Sequence, residues 1–133
     1  ALDDIPHSLP ALMRAHKIQK RCSTVGFDWT TIGPVLDKVY EEIDEVMDEA
    51  KQAVVDQARV EEEMGDLLFA TVNLSRHLGV KAEVALQKAN LKFERRFREV
   101  ERLVQERGLE MTGVDLETME TIWQQVKRQE HDL

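Results

Sequence analysis

Apolar residues recur at helical spacing along almost the whole chain, and this periodicity constrains the fold more than any other feature of the sequence. Residues typical of strands or breaks are few, since aromatics make up 5% of the 133 residues and there are 3 Pro and 6 Gly. The pattern predicts an all-α fold, a helical bundle of about five helices with a four-helix core. We see no internal repeat and no second domain.

Caps and breakers predict where each helix begins and ends. We expect the first helix to be capped by Ser8, with Pro10 in its opening turn, and to end before Ser23. Thr30 or Thr31 begins the second, residues 55–78 form the third with Gly79 after it, residues 81–107 form the fourth up to Gly108, and Asp115 or Thr118 begins the last. The predicted inward residues are Val35, Leu36, Val39, Ile43, Val46, Met47 and Ala50 on the second helix, Val60, Met64, Leu67, Leu68, Thr71, Leu74 and Leu78 on the third, and Leu86, Phe93, Phe97, Val100 and Val104 on the fourth.

Charge and cysteine content exclude several classes of function. The formal net charge of −8 leaves no broad basic face, so we expect neither nucleic-acid nor membrane binding. The single Cys22 cannot form an internal disulfide, which favours a cytoplasmic location. Any phosphorylated partner must therefore be bound locally, by a metal ion or a few basic side chains.

Two acidic clusters lie on neighbouring predicted helices. The first reads E-E-x-x-E and contains Glu42 and Glu45, and the second, eighteen residues further on, reads E-x-x-D and contains Glu63 and Asp66. Residues three apart share a helix face, and both pairs lie at the same phase relative to their apolar stripes. Four carboxylates could therefore converge on Mg²⁺, or on Mn²⁺ as a substitute.

The alternative is a solvated acidic face that binds no ion. Six of the nine residues from Glu41 to Glu49 are acids, and their like-charge pairs four residues apart destabilise a helix unless a cation neutralises them. A di-iron bundle needs Glu-x-x-His pairs, and no His here has a Glu three residues before it.

Basic and aromatic side chains on the last two helices offer a second set of candidates. Lys92, Arg95 and Arg96 share a flank of the fourth helix, where they would grip a polyphosphate or simply pair with acids. Trp123 and Lys127, four residues apart, would stack a base and hold a phosphate or ribose, although a Trp at such a position is commonly in a core. In the loop before the second helix, we expect Trp29 beside Phe27 to anchor the loop.

Four segments together resemble the MazG family of nucleoside triphosphate pyrophosphohydrolases. They are the runs 25–29 (V-G-F-D-W), 39–45 (V-Y-E-E-I-D-E), 61–69 (E-E-E-M-G-D-L-L-F) and 92–97 (K-F-E-R-R-F). The resemblance implies an all-α NTP pyrophosphatase fold, a homodimer, and hydrolysis of nucleoside triphosphates to monophosphate and pyrophosphate. The bacterial members usually carry two such domains in tandem, and the chain is most similar to the C-terminal one, so we expect residues 1–133 to be one domain, the second of such a pair.

The resemblance also implies roles for individual residues. It places the metal ligands at Glu42, Glu45, Glu63 and Asp66. It places the nucleotide contacts at Lys38, Glu41, Arg59, Glu62, Lys92, Arg95, Arg96 and Trp123.

Our hypothesis is Mg²⁺-dependent cleavage of the α/β phosphoanhydride bond, with Glu42 and Glu45 as catalytic metal ligands and Glu41 positioning or deprotonating the water. Two alternatives stay open: a nucleotide sensor without turnover, and a helical dimerisation module whose acids only confer solubility. The sequence does not indicate the preferred base or sugar, the number of metal ions, or the physiological purpose.

Overall fold

Five α-helices make up most of the part of the chain that the structure describes, which confirms the predicted all-α class. The structure is a computed structural model that describes residues 2–131, and no strand occurs among them. None of the described helices combines the length and apolar character needed to cross a membrane. The helices are α1 (Ala11–Thr24), α2 (Ile32–Ala50), α3 (Gln57–His77), α4 (Ala82–Glu106) and α5 (Leu116–His131), with a 3₁₀ turn at Met111–Gly113.

The first helix begins later and ends later than predicted. Its N-cap is Pro10, with an extended ψ of 141°, so the predicted Ser8 cap is wrong. The physical reason is that a residue preceding proline is disfavoured in the α region, which prevents a helix from running from Ser8 through Pro10. At the other end α1 continues through Ser23 and Thr24, whose hydroxyls donate to carbonyls one turn earlier.

Two aspartates cap later helices. The Ala58 N–H donates to Asp56 Oδ1 at 3.1 Å, so Asp56 is the N-cap of α3. The helix therefore begins at Gln57, two residues after the predicted start. The Thr118 N–H donates to Asp115 Oδ1 at 2.9 Å, which confirms the first of the two predicted starts of α5. Such caps satisfy N–H groups that have no partner within the helix. Thr31 occupies the N-cap of α2 as predicted, although its side chain makes no capping hydrogen bond.

Glycines in the left-handed region end three of the helices. Gly79 has φ +74° and Gly108 has φ +73°, as predicted for residues that follow α3 and α4, and Gly26 after α1 has φ +87°. At the end of α3 the Val80 N–H donates back to the Ser75 carbonyl at 2.8 Å. This is the Schellman arrangement, which needs a residue that adopts positive φ without strain.

The chain forms two compact units, Ala1–Ala85 and Leu86–Leu133. In the first unit α3 packs against both α1 and α2, and its contact with α2 is the more extensive of the two. In the second unit a core forms between α5 and the later part of α4. Its buried residues are Val100, Val104, Ile122 and Val126, with Leu103, Met111, Val114 and Trp123 packed against them.

The predicted inward stripes are wrong at several positions. Val35, Val100 and Val104 are buried as predicted. Periodicity identifies the apolar face of a helix but does not show what covers it, and the described part of the chain leaves much of these faces open. The exposed members are Leu36, Ile43, Met47 and Ala50 on α2, Met64, Leu68 and Thr71 on α3 with Leu78 at its C-cap, and Leu86, Phe93 and Phe97 on α4.

An ionic contact fixes the loop between α1 and α2. Arg76 Nη2 donates to Asp28 Oδ1 at 2.8 Å, and His77 Nε2 lies 2.9 Å from the same oxygen. Phe27 is 78% exposed, whereas Trp29 is 44% exposed and lines a cavity together with Phe69 and Asn73 of α3, so the anchoring of the loop by Trp29 stays a prediction. Burial by itself would raise the pKa of Asp28, but hydrogen bonds from Arg76 and His77 lower it below its usual value.

The Asp28 contact predicts a pH-dependent contribution to stability. Because the folded pKa is depressed, the contribution is present above the unfolded value of about 3.9 and is lost as pH falls through the lower folded value. We expect Asp28→Asn to reduce the free energy of unfolding by about 1–2 kcal/mol at pH 7, and by progressively less below pH 4. Urea unfolding at several pH values measures this difference. Asp3→Asn, at an exposed position, is the control, and an Asp28→Asn effect of the same size at pH 7 and pH 3 would contradict the assignment.

Candidate functional site

The two predicted acidic clusters meet where α2 packs against α3. Carboxylate oxygens of Glu42, Glu63 and Asp66 all lie within 4.8 Å of one another, and the same holds for Glu41, Glu42 and Glu45. Glu42 belongs to both groups, so it joins the acids of α2 to those of α3. The structure thus brings together the four predicted metal ligands, and a cluster of this kind could bind a metal ion.

Glu42 is the most enclosed member of the acid cluster. It is 5% exposed, which is unusual for a glutamate, and Lys38 Nζ lies 3.1 Å from its Oε1. Its Oε2 is buried and has no hydrogen-bond partner among the described residues. A carboxylate oxygen left in this state is unfavourable unless a cation or a donor reaches it.

On α3, the carboxylate of Glu63 also has an oxygen without a hydrogen-bond partner or a nearby cation among the described residues. Burial, followed by the hydrogen bond and charge of Glu45 and the charges of Asp66 and Glu42, raises the pKa of Glu63 to about 7. Its Oε2 is also buried without a partner in the described chain. Two unpartnered carboxylate oxygens from facing helices, surrounded by further acids, fit a divalent cation with oxygen ligands.

Of the other residues predicted to contact the nucleotide, some touch the acid cluster and others do not. Lys38 bonds Glu41 Oε1 at 3.3 Å as well as Glu42, and the hydrogen bond to Glu42 raises the pKa of Lys38. Arg59 lies 3.7 Å from Glu49 and is well exposed. Glu62 is exposed and belongs to neither acid group. Lys38 and Glu41 are therefore directly linked to the cluster, whereas Arg59 and Glu62 are not.

The predicted basic flank of α4 is held by an acid on α5. Arg96 Nε donates to Glu130 at 2.7 Å and Arg95 Nε donates to the same carboxylate at 3.3 Å. Both interactions lower the pKa of Glu130, with the Arg96 hydrogen bond the larger cause. Lys92 is exposed. Glu130 therefore fixes the two guanidinium groups, and this partner was not expected from the sequence.

Trp123 is part of the core of the second unit. Its ring packs against the buried residues there and lies 5.3 Å from the Phe93 ring at 42°. Phe93 in turn stacks on Phe97 at 6.0 Å. Lys127 is half-buried on the next turn of α5. These aromatic contacts leave part of the Trp123 ring exposed, so both predicted α5 residues keep some accessible surface.

Two cavities lie in the described part of the first unit, and one of them adjoins the acid cluster. The smaller, about 320 Å³, is lined by Glu42 and Asp66 together with Lys38 and Val35. The larger, about 370 Å³, lies between α1, the 25–31 loop and α3. Three residues line both cavities: Trp29, Phe69 and Asn73.

The larger cavity contains residues that sequence reasoning missed. Gln19 and Asn73 line it, and Gln19 is buried with its Nε2 donating to the Phe69 carbonyl at 2.9 Å. The spacing of residues on α3 could have identified Asn73. Asp66, Phe69 and Asn73 are three and four residues apart, which places them on the same face of α3 as a predicted metal ligand.

Comparisons with known proteins give the same assignment as the motifs. The family model described as the MazG nucleotide pyrophosphohydrolase domain matches residues 31–101. That match contains both acid clusters and the α4 basic run.

Individual relatives extend the similarity to the full chain. The nucleoside triphosphate pyrophosphohydrolase of Escherichia coli (strain K12) is 85% identical over all of this chain and 51% of its own length. The nucleoside triphosphate pyrophosphohydrolase/pyrophosphatase MazG of Thermotoga maritima is 42% identical over 95% of this chain and 48% of its own. The uncharacterized protein YabN of Bacillus subtilis is 40% identical over 97% of this chain and 26% of its own.

The chain spans about half the length of the first two of these relatives. The matched region nevertheless includes every residue of the acid cluster described above. The chain belongs to the MazG nucleotide pyrophosphohydrolase domain family.

Proposed function

We propose that this chain hydrolyses nucleoside triphosphates at the α/β phosphoanhydride bond, releasing nucleoside monophosphate and pyrophosphate. The observation that carries the proposal is the convergence of Glu42, Glu45, Glu63 and Asp66, with two buried oxygens that lack partners. Relatives that match 100% and 95% of this chain are named nucleoside triphosphate pyrophosphohydrolases. A cavity beside the acids gives a substrate room to approach them.

The acid cluster would hold Mg²⁺, with Mn²⁺ as a substitute. Glu42, Glu45, Glu63 and Asp66 are the proposed ligands, and the bound ion would neutralise phosphate charge and lower the pKa of a bound water. The support from this chain is the fit already described: hard oxygen donors, a raised pKa at Glu63 and like charges held close together.

The neighbouring side chains have distinct proposed tasks. Glu41 is exposed and groups with Glu42 and Glu45, which supports assigning it the task of positioning or deprotonating the attacking water. Lys38 lines the smaller cavity and already donates to carboxylates, so its ammonium group is positioned to bind a substrate phosphate instead.

Several assignments stay predictions. Nucleotide contacts at Arg59 and Glu62 in the first unit come from the family resemblance. The cytoplasmic location comes from the single Cys22. The predicted nucleotide contacts of the second unit are Lys92, Arg95, Arg96, Trp123 and Lys127.

We expect substitutions in the acid cluster to abolish turnover while the helical fold is retained. Glu42→Gln or Asp66→Asn should lower kcat/KM at least 100-fold, about 2.7 kcal/mol of transition-state stabilisation, because each removes a metal ligand. Chromatography of the products from a panel of ribo- and deoxyribonucleoside triphosphates, with Mg²⁺ and with EDTA, measures this. Far-UV circular dichroism checks the fold.

Glu61→Gln is the matched control, since Glu61 is an exposed acid of α3 outside the cluster. Monophosphate and pyrophosphate should appear with metal in the wild type and in this control. Diphosphate and orthophosphate as products, or wild-type rates in both cluster variants, would overturn the proposal.

We also propose that the chain is a homodimer. The support is the exposure of large apolar side chains at helical spacing on the first unit, including Leu36, Ile43 and Met47 on α2 and Met64 and Leu68 on α3. Side chains at this spacing share one face of their helix, and an exposed apolar face is typical of an interface. A second copy of the chain would cover it.

We expect light scattering to give twice the mass of the chain. Leu68→Glu should shift the protein to the monomer, because a charge would enter the interface, and it should not unfold the chain, because Leu68 is 49% exposed. Val54→Glu is the control at an exposed position in the connection between α2 and α3. A monomeric wild type, or an unchanged dimer in Leu68→Glu, would contradict the assignment.

A further inference from the structure

The two carboxylate oxygens of Glu42 have different surroundings. Lys38 Nζ lies 3.1 Å from Glu42 Oε1 and 3.3 Å from Glu41 Oε1. Glu42 Oε2, in contrast, is buried and has no hydrogen-bond partner among the described residues. Lys38 precedes Glu42 by one turn of α2, so this ion pair forms within a single helix and does not depend on the packing against α3.

The Lys38 ammonium group and a metal ion would use the same carboxylates. Glu42 belongs to both groups of acids whose oxygens lie within 4.8 Å of one another, and Glu41 belongs to one of them. Lys38 lines the smaller cavity together with Glu42 and Asp66. Two cations held on one buried carboxylate repel each other, because burial lowers the local dielectric. The ion pair and a bound metal ion are therefore alternatives.

The two members of the ion pair differ in how easily they leave it. The side chain of Glu42 is 6% exposed, whereas that of Lys38 is 40% exposed. A lysine ammonium is strongly hydrated and is carried on a flexible stem of four carbons. Moving it from Glu42 into water therefore costs less than moving the enclosed carboxylate.

We propose that the Lys38 ammonium group serves as the cation of the acid cluster in the metal-free protein and leaves Glu42 when a divalent metal ion binds. This inference rests on the proposed function, because the metal centre is the one proposed there. Lys38 thereby lowers the affinity of the cluster for the metal alone. Once released, its ammonium group is free to bind a phosphate in the smaller cavity, so metal binding prepares the site for the substrate.

Calorimetric titration of Mg²⁺ into the nucleotide-free protein measures the effect on affinity. Lys38→Met should bind Mg²⁺ about tenfold more tightly than the wild type, because the apparent affinity rises when a competing internal state is removed. Lys38→Arg keeps a cation at this position and should stay within about twofold of the wild type. A lysine that only held Glu42 in place for the metal would give the opposite sign, with weaker binding in Lys38→Met.

Lys51→Met is the matched control for the loss of one positive charge. Lys51 is exposed at the C-cap of α2 and belongs to neither acid group. Nine residues beyond Glu42 correspond to about 13 Å along a helix. This separation exceeds the Debye length of about 8 Å at 0.15 M salt. The control should therefore bind Mg²⁺ as the wild type does.

Amine acetylation tests the release of Lys38 in the wild-type protein, so this measurement does not depend on the folding of a variant. Only the neutral amine reacts with N-hydroxysuccinimidyl acetate, and a carboxylate partner favours the charged form. Peptide mass spectrometry gives the rate at each lysine with and without Mg²⁺. We expect Mg²⁺ to speed the acetylation of Lys38 severalfold and to leave the rate at Lys51 unchanged.

The outcomes separate this inference from the proposed function. Mg²⁺ binding that is no tighter in Lys38→Met than in the wild type, or an unchanged rate at Lys38, overturns the displacement and leaves the proposed hydrolysis standing. No Mg²⁺ binding to either protein overturns the proposed metal centre and this inference with it. Tighter binding in Lys38→Met and faster acetylation of Lys38, without pyrophosphate release from triphosphates, would support the displacement and overturn the proposed hydrolysis.

Discussion

The contact between α2 and α3 confines carboxylates in a volume where they repel one another, and the arrangement of the first unit depends on how that repulsion is compensated. Glu42 is buried, and Lys38 is the cation that reaches it in the structure. Burial and neighbouring acids hold the pKa of Glu63 at about 7. Each feature is unfavourable for a helix pair alone and favourable for one that binds a divalent cation.

One face of α3 connects the parts of the proposed site in order. Asp66 belongs to the acid cluster, Phe69 and Asn73 line both cavities, and Arg76 holds Asn73 and the loop residue Asp28. The loop that carries Trp29 is therefore positioned by the same helix that supplies two of the proposed metal ligands. A rigid element of this kind fixes the distance between the metal centre and the adjoining cavity.

Local sequence patterns predicted the parts of the structure that depend on spacing within one helix. Glu42 and Glu45, and Glu63 and Asp66, are each three apart, so their shared faces followed from helical geometry. The Gly79 helix end was equally local, since Val80 donates back within the same turn. The predicted start of α1 was wrong because the effect of Pro10 on the backbone of the residue before it outweighs the capping preference of Ser8.

Contacts between residues that are distant in the sequence could not be predicted from local patterns. Gln19 and Phe69 are 50 positions apart, and Arg96 and Glu130 are 34 apart, so no local pattern pairs them. Periodicity also identified the apolar faces of α2 and α3 correctly while misjudging their burial. Leu68 remains exposed because the covering surface that we propose lies on a second copy of the chain.

Thermal unfolding with and without Mg²⁺, in the absence of nucleotide, tests the central claim most directly. Mg²⁺ should raise the Tm of the wild type and of Glu61→Gln, because binding to the folded state stabilises it, and the rise should be much smaller in Glu63→Gln. Without metal, Glu63→Gln should melt above the wild type, since one repelling charge is removed. An identical response of all three proteins to Mg²⁺, or none in the wild type, would contradict a metal centre at the contact between α2 and α3.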